Sequence, residues 1–371
     1  MKKILFISNI SNRITNFAIP SIVAGQSLGY DFHMAANYSN FTDDASKYNL
    51  TIHHIDIKRN PFNIKNIKAY KQMLDLIKKE EFDVIHCNTP IGGVLGRICG
   101  AKAGVKKIIY TAHGFHFYKG APLINNTLYK WVEMYLAKKT DAIITINKED
   151  YEAAKHMKLR NNGNVYYVPG VGIDVDAIKK VEVDRTKKRA EFGINDNEFV
   201  ITAVGRLEKN KNVENMISAI AKANDNVILL LCGKGEQAGD MKDLAKQLNV
   251  EDRVIFAGFR DDIPKILKSS DAYMLISYRE GLSRSLMEAM ASGLPCIASK
   301  IRGNVDLIED GIGGYLVNPN DVDEIAGSIN KIADDIDLKN KMGQVNLKNI
   351  KSCSIENVKK QMKEIYKGIL Y

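Results

Sequence analysis

Short apolar runs alternate with helix-period segments along the whole chain, and the alternation breaks and restarts once. Residues 3–7, 31–35, 83–87, 107–111, 141–146 and 165–168 read as strands. Residues 17–28, 64–79, 92–103, 126–138 and 148–156 read as the helices between them. Strands covered by helices on both faces appear as near-continuous apolar runs, and parallel strands need crossovers of this length. The pattern therefore predicts a helix-covered parallel sheet, a Rossmann-like domain. Near Pro169 the pattern stops: VPGVGIDVDAI and the charged stretch 179–189 read as a linker or hinge. A second series follows, with strands at 199–205, 227–232, 253–256, 271–276 and 295–298 and helices at 213–223, 241–248, 263–268, 283–291 and 322–334. The expected fold is α/β with two Rossmann-like domains, 1–168 and 169–352, and a last helical segment, 353–371. A chain of 371 residues is long for one core. Two such domains in succession suggest a ligand cleft at the C-terminal ends of their strands.

The stretch LISYREGLSRSLMEAMASGLP, 275–295, holds Glu280 in a loop after a strand and Glu288 within the following helix. Gly293 and Pro295 end that helix. Gly281, Leu282 and Ser283 lie at its start, where backbone N–H groups favour an anion. Spacing alone is weak, since the chain has 18 Glu, and Glu356 and Glu364 repeat it in a plain amphipathic helix. Context carries the signal. Upstream, VGRLEKNKN follows the first strand of the second domain: Gly205 allows a sharp turn, Arg206 offers a planar fork for phosphate, and Lys211 adds a point charge. The ordinary alternative is a solvated loop. CGKGE, with Gly233 and Gly235, follows the next strand, and a lone G-x-G usually marks only a tight turn. In the first domain, TAHGFHFYKGAP follows a strand and contains His113, His116 and Lys119, while His86 and Thr89 stand at another strand end in VIHCNTPIGG.

These strings resemble the family 4 retaining glycosyltransferases of the GT-B fold, with their G-R-x(4)-K and E-x7-E motifs. TAHGFHFYKGAP and ITINKEDYEAAK look like bacterial exopolysaccharide and capsule glycosyltransferases. The resemblance spans nearly the whole chain. It implies two domains facing a central cleft, the last helix crossing back to the first domain, and a UDP-sugar donor held by the second. Arg206 and Lys211 would bind the diphosphate, with the amides of Leu282 and Ser283. Glu280 would contact the transferred sugar, and Glu288 the ribose hydroxyls, as a carboxylate accepts two hydrogen bonds. Gly233 and Gly235 would line the donor site, Arg260 would contact the base through main-chain atoms, and His113 would face the reacting sugar. His86, Thr89, His116 and Lys119 would lie on the acceptor side. One departure stands out: the loop after the first strand, 8–13, has no glycine. Without a glycine, close backbone approach to phosphate is not expected there, and the Asn12 or Arg13 side chain would act instead, on the acceptor side with a phosphorylated acceptor.

Charge points to the acceptor. Residues 1–170 hold 23 Lys/Arg against 13 Asp/Glu, whereas 171–371 hold 30 against 31. A basic first half favours an anionic partner, here a membrane surface or a lipid diphosphate; the alternative is a solvated basic face. Lysines at 102, 106, 107, 119, 130, 138 and 139, interleaved with Phe115, Phe117, Tyr118 and Trp131, suggest interfacial contact. No nucleic-acid motif appears. The five cysteines form no C-x-x-C pair, so no metal or other cofactor is expected. No run is long enough to span a bilayer, and MKKILFISN reads as a first strand rather than a signal peptide. The expected protein is cytoplasmic and peripheral to the membrane's inner face, acting on a lipid-linked glycan. A UDP-sugar 2-epimerase and a non-catalytic scaffold are the rival readings; the intact Arg206, Lys211, Glu280 and Glu288 argue against both.

Overall fold

Seven parallel strands form the first sheet: β1 (Lys3–Ile10), β2 (Asp31–Asn37), β3 (Thr51–His54), β4 (Val84–Asn88), β5 (Lys107–Ala112), β6 (Ala142–Thr145) and β7 (Asn164–Tyr167). Their order is β3-β2-β1-β4-β5-β6-β7 in the computed structural model, which describes residues 1–371. Helices α1 (Ile19–Ser27), α2 (Asn66–Glu80), α3 (Pro90–Lys102), α4 (Lys130–Ala137) and α5 (Lys148–Lys155) fill the crossovers. On one face, Met73 and Ile77 of α2, Leu95 and Cys99 of α3, Ala137 of α4 and Ala154 of α5 share a core with the inward residues of β1, β4 and β5. The other face packs Ile22 of α1 with Val358, Met362 and Tyr366 of the C-terminal helix Ile355–Leu370. That helix closes the first unit, which comprises residues 1–172 and 355–371. Chain direction switches between β1 and β4, so the loops leaving their C-terminal ends diverge around a crevice.

The second unit, residues 173–354, repeats the scheme with six strands. These are β8 (Phe199–Val204), β9 (Val227–Cys232), β10 (Val254–Gly258), β11 (Ala272–Leu275), β12 (Cys296–Ser299) and β13 (Gly314–Val317), in the order β10-β9-β8-β11-β12-β13. Its switch point lies between β8 and β11. The core joins Ile201, Leu229 and Met274 of the strands to Met216, Ile217 and Ile329 of the helices.

The expected linker needs correction. Residues 175–190 form two short helices, Val175–Lys179 and Arg185–Ala190, inside the second unit. Arg189 is 1% exposed. It donates to Asp271 Oδ2 at 2.5 Å and to the carbonyls of Ser269 and Glu198. Arg185 and Lys339 reach the other oxygen of Asp271, at 2.6 and 3.0 Å. A charged stretch that resembled solvated chain is therefore a clamp on the start of β11. Strands β3 and β13 and the helix Ile336–Asn349 also escape the pattern reading.

Candidate functional site

The loops after β8 and β11 meet at the second switch point. Lys211, ending a short 3-10 turn (Lys209–Lys211), places Nζ 2.6 Å from Glu280 Oε1. Around this pair the loops are stitched by backbone and side chains. Tyr278 N–H donates to the Asn210 carbonyl at 2.9 Å, and Asn210 Nδ2 to the Arg279 carbonyl at 3.1 Å. Tyr278 OH donates to Asn212 Oδ1 at 3.1 Å. The Lys211 stem crosses Gly205, where an added Cβ would come 3.3 Å from it. Gly205, Arg206, Leu207 and Lys211 line a recess floored by Leu231 and Met274. Arg206 is exposed, with only a 3.5 Å contact to Glu208, so its guanidinium is available to a ligand.

Ser283 is the N-cap of helix Arg284–Ala291 and accepts from the Leu286 N–H. Gly281 and Leu282 therefore precede the first turn, at the positive end of the helix. Glu288 sits on that helix and accepts from Arg284 Nε at 2.8 Å. Past its C-cap, Gly293 takes φ +80°, a left-handed conformation that suits glycine. Gly233 and Gly235 have a structural explanation: an added Cβ would lie 1.7 Å from the Gly205 carbonyl oxygen and 2.1 Å from that of Leu207. They let the β9 loop seat against the Gly205–Leu207 backbone, where Leu207 N–H donates to Lys234 O. The Arg260 side chain is held by Asp262, at 2.7 and 2.6 Å, which leaves its main chain for any ligand contact.

In the first unit, His113 follows β5 with the Phe17 ring edge-on at 5.0 Å. Both ring nitrogens are buried without a partner. Burial pushes its pKa down to about 4, so the ring is neutral and offers one donor and one acceptor. His86 overturns its acceptor-side assignment. It is fully buried, and its nitrogens lie 2.6 Å from Tyr366 OH and 2.7 Å from Thr111 Oγ1. Both ring positions are used in joining β4 and β5 to the C-terminal helix, and burial lowers its pKa to about 3. Asn12 and Arg13 are exposed beside the β1/β4 crevice. Thr89, the N-cap of α3, hydrogen-bonds Asn9 at 2.9 Å. The His116 ring lies beside that of Tyr129, tilted by 30° with ring centres 5.4 Å apart. Lys119 is exposed, its backbone N–H bonded to Glu149.

Several site residues carry no sequence signal. Tyr278, Asn210 and Asn212 acquire their role only when the β8 and β11 loops adjoin. Arg302 donates to the Glu280 carbonyl at 3.3 Å, and Gly303 packs on Gly281, 2.2 Å from its carbonyl if given a Cβ. Phe115 and Phe117, expected at a membrane, are buried and stacked on each other at 4.8 Å. Lys106 binds Asp83 at the opposite edge of the sheet, before β5. No group of three or more His, Cys, Asp or Glu side chains is arranged to hold a metal ion. No helix is long and apolar enough to cross a membrane.

Both halves of the chain match known protein families. The family described as glycosyl transferases group 1 matches residues 184–348, and that described as glycosyl transferase 4-like matches 3–147. The putative glycosyltransferase EpsD of Bacillus subtilis is 32% identical over 100% of this chain and 97% of its own length. An Escherichia coli enzyme named UDP-Gal:alpha-D-GlcNAc-diphosphoundecaprenol alpha-1,3-galactosyltransferase is 32% identical over 75% of this chain and 73% of its own. Anabaena HepE, crystallised with UDP and glucose, superposes with a TM-score of 0.80 at 21% identity, covering 99% of this chain and 100% of HepE. That likeness establishes the fold, GT-B. With both halves matched and a relative aligned end to end, the chain belongs to the group 1 glycosyltransferases, its first half being of the glycosyltransferase 4-like kind.

Proposed function

We propose that this protein is a retaining, metal-independent glycosyltransferase. It moves a hexose or N-acetylhexosamine from a UDP-sugar to a lipid-linked glycan acceptor during bacterial surface polysaccharide synthesis. The observation that carries the reading is the Lys211–Glu280 pair at the β8/β11 switch point, with Arg206 and the start of helix Arg284–Ala291 beside it. A departing diphosphate needs fixed positive charge where its own charge develops. Arg206, Lys211 and the amides at Leu282 and Ser283 supply it in a chain-encoded form, which supports a metal-free mechanism. Glu280 then turns to the hydroxyls of the transferred sugar, and Glu288 to the ribose. His113 remains the candidate sugar contact of the first unit, a role that rests on the family resemblance.

In the proposed step the acceptor hydroxyl oxygen bonds to the anomeric carbon on the face from which the diphosphate leaves. The anomeric C–O bond to the diphosphate breaks, and the acceptor proton passes to the departing diphosphate oxygen. No protein carboxylate need act as nucleophile, in contrast to retaining glycosidases. The UDP and lipid assignments draw support from the Escherichia coli relative, whose name specifies both. The test is UDP release across a panel of UDP-sugars with polyprenyl-diphosphate-linked sugars, in the presence and absence of chelator. Acceptor-dependent UDP release that survives chelation, with a product anomer matching the donor, supports the reading. Inversion, or turnover restored only by added magnesium or manganese, refutes it.

A further inference from the structure

Two segments of the first unit expose apolar side chains far beyond ordinary surface scatter. In the loop leading into α2 and at its first turn, Phe62 is 82% exposed, Ile64 79% and Ile67 63%. Between residues 57 and 74 the chain carries Lys58, Arg59, Lys65, Lys68 and Lys71 and no acidic residue. In the π-helical turn Asn125–Tyr129 and α4, Ile124, Leu128, Trp131 and Tyr135 are all exposed at successive helical spacings. This stripe points outward by construction. The opposite face buries Leu136 and Ala137, and Glu133 is drawn in to Arg97 at 2.7 and 3.2 Å. Glu133 is the sole acid between residues 114 and 140, so the counter-charge near Lys119 and Lys130 comes from α5, where Glu149 lines the same recess.

The fold brings the two segments to one side. In a parallel sheet the helix that follows each strand starts at the strands' C-terminal edge, so α2 and α4 begin at the same edge. Both belong to the layer on one face, with α3 between them and packed on each. The apolar groups thus flank the N-terminus of α3, at the edge that also carries the β1/β4 crevice with Asn12 and Arg13. Trp and Tyr with a lysine rim fit the headgroup region of a bilayer, and the positive excess that remains after Lys68 pairs with Asp56 fits anionic lipid.

We propose that segments 58–71 and 121–135 form one membrane-docking surface that seats the first unit on an anionic phospholipid bilayer. Phe62, Ile64, Leu128 and Trp131 enter the headgroup layer, and Lys58, Arg59, Lys65 and Lys130 lie over the phosphates. This deepens the lipid-acceptor reading above and rests on it for its biological purpose. The surface differs from a spread of basic residues over the whole unit, because Lys102 and Lys106 lie toward the opposite edge.

Trp131 is the only tryptophan in the chain, so its fluorescence reports this surface alone. The full chain is mixed with vesicles of phosphatidylglycerol in phosphatidylcholine, and separately with phosphatidylcholine alone. The expected result is a blue shift of Trp131 emission and quenching by brominated lipid with the anionic vesicles, both fading as salt rises. The neutralised pair Lys58→Gln and Arg59→Gln weakens partitioning by about thirtyfold. The exposed pair Phe62→Ser and Ile64→Ser abolishes sedimentation with vesicles while leaving the far-ultraviolet spectrum unchanged. An unshifted Trp131 in a chain that stays in the supernatant at low salt overturns the proposal. So does vesicle binding with Trp131 still open to aqueous quenchers, or a concentration-dependent shift without lipid, which would mark a surface for a second copy. Transfer to a lipid-linked acceptor dispersed in detergent separates the two readings. The Phe62/Ile64 variant keeps that activity if docking alone is lost. A wild-type chain inactive there sinks the acceptor reading without touching the vesicle result.

Discussion

Replacing Lys211 by Ala tests the donor site most directly. The ammonium lies 2.6 Å from Glu280, and the two side chains are 20% and 14% exposed. The pair is thus partly shielded but not dry, so its loss should lower stability by no more than about 2 kcal/mol. The catalytic loss has two sources. A positioned cation facing a developing diphosphate charge disappears, worth about 2–4 kcal/mol by comparison with single oxyanion donors. In addition, the Glu280 carboxylate is left unneutralised next to an incoming anion. At about 1.36 kcal/mol per decade, the first source alone predicts a kcat/KM lower by roughly 30- to 1000-fold. The second predicts a raised donor KM that Glu280→Gln partly restores in the Lys211→Ala background. The assay is UDP release under donor titration, with thermal unfolding of each variant measured in parallel. Activity within a few-fold of wild type refutes the assignment, and so does a loss that tracks the unfolded fraction at the assay temperature.

Arg206→Ala should reduce kcat/KM by a similar factor with an unchanged thermal midpoint, because Arg206 is 70% exposed and anchors nothing. Tyr366→Phe removes the hydroxyl beside His86 and should cost about 1–3 kcal/mol in urea unfolding of the first unit. Asp271→Ala strands the buried Arg189 guanidinium and should cost about 3–5 kcal/mol, seen as early unfolding of the second unit; a change below about 1 kcal/mol contradicts the clamp. The pH dependence has a defined sign. His113 and His86 are held neutral, with pKa values lowered from 6.5 to about 4 and about 3, so the unfolded chain binds more protons on acidification. Their contribution is complete above about pH 6.5 and is lost as pH falls toward 4 and then 3. Urea midpoints that hold or rise between pH 6.5 and 4 would contradict this, and His113→Asn should flatten part of the decline.

The sheets were legible because strands covered on both faces carry runs such as Val227–Cys232, every residue of which is buried. What escaped lacked that signature. The strand Thr51–His54 lies at a sheet edge and is held partly by side chains: His33 Nδ1 meets His53 Nε2 at 2.9 Å with the rings stacked. Gly314–Val317 lies at the edge of its sheet, opens on a glycine and leaves Tyr315 only partly buried. Helix Ile336–Asn349 buries Met342, Gly343 and Asn346, and Asn346 spends its amide on the carbonyls of Leu294 and Gly313 at 2.7 and 2.6 Å. No apolar periodicity announces a helix anchored by an asparagine. The site divides in the same way. Arg206, Lys211, Glu280 and Glu288 stand in local strings that sequence displays. His86 occupies an equally suggestive strand end, yet a tyrosine 280 positions away decides its role.

The glycine-free first loop and the strained Thr89 are one feature of the first switch point. Thr89 adopts φ +68° and ψ 156°, a region suited to glycine and costing a side chain on the order of 1–3 kcal/mol. Its hydroxyl donates to Asn9 Oδ1 at 2.9 Å, and the same oxygen accepts from the Gly92 N–H at 2.5 Å. The carboxamide of Asn9, at the C-terminal end of β1 rather than in the loop beyond it, thus caps α3 from outside, satisfying a donor that the helix leaves open. Close approach is supplied from the other side, since a Cβ on Gly92 would stand 3.0 Å from Thr89 Oγ1 and 3.1 Å from the Ser8 backbone. A loop glycine would let a phosphate reach the helix N-terminus; here an anion must first displace Asn9. The side chains left open at this crevice are those of Asn12 and Arg13, whose loop is pinned where Thr42 N–H donates to the Asn12 carbonyl at 2.9 Å. A ligand binding at this edge of the first unit would therefore meet side chains rather than a backbone cradle, and those side chains can change without disturbing the sheet beneath.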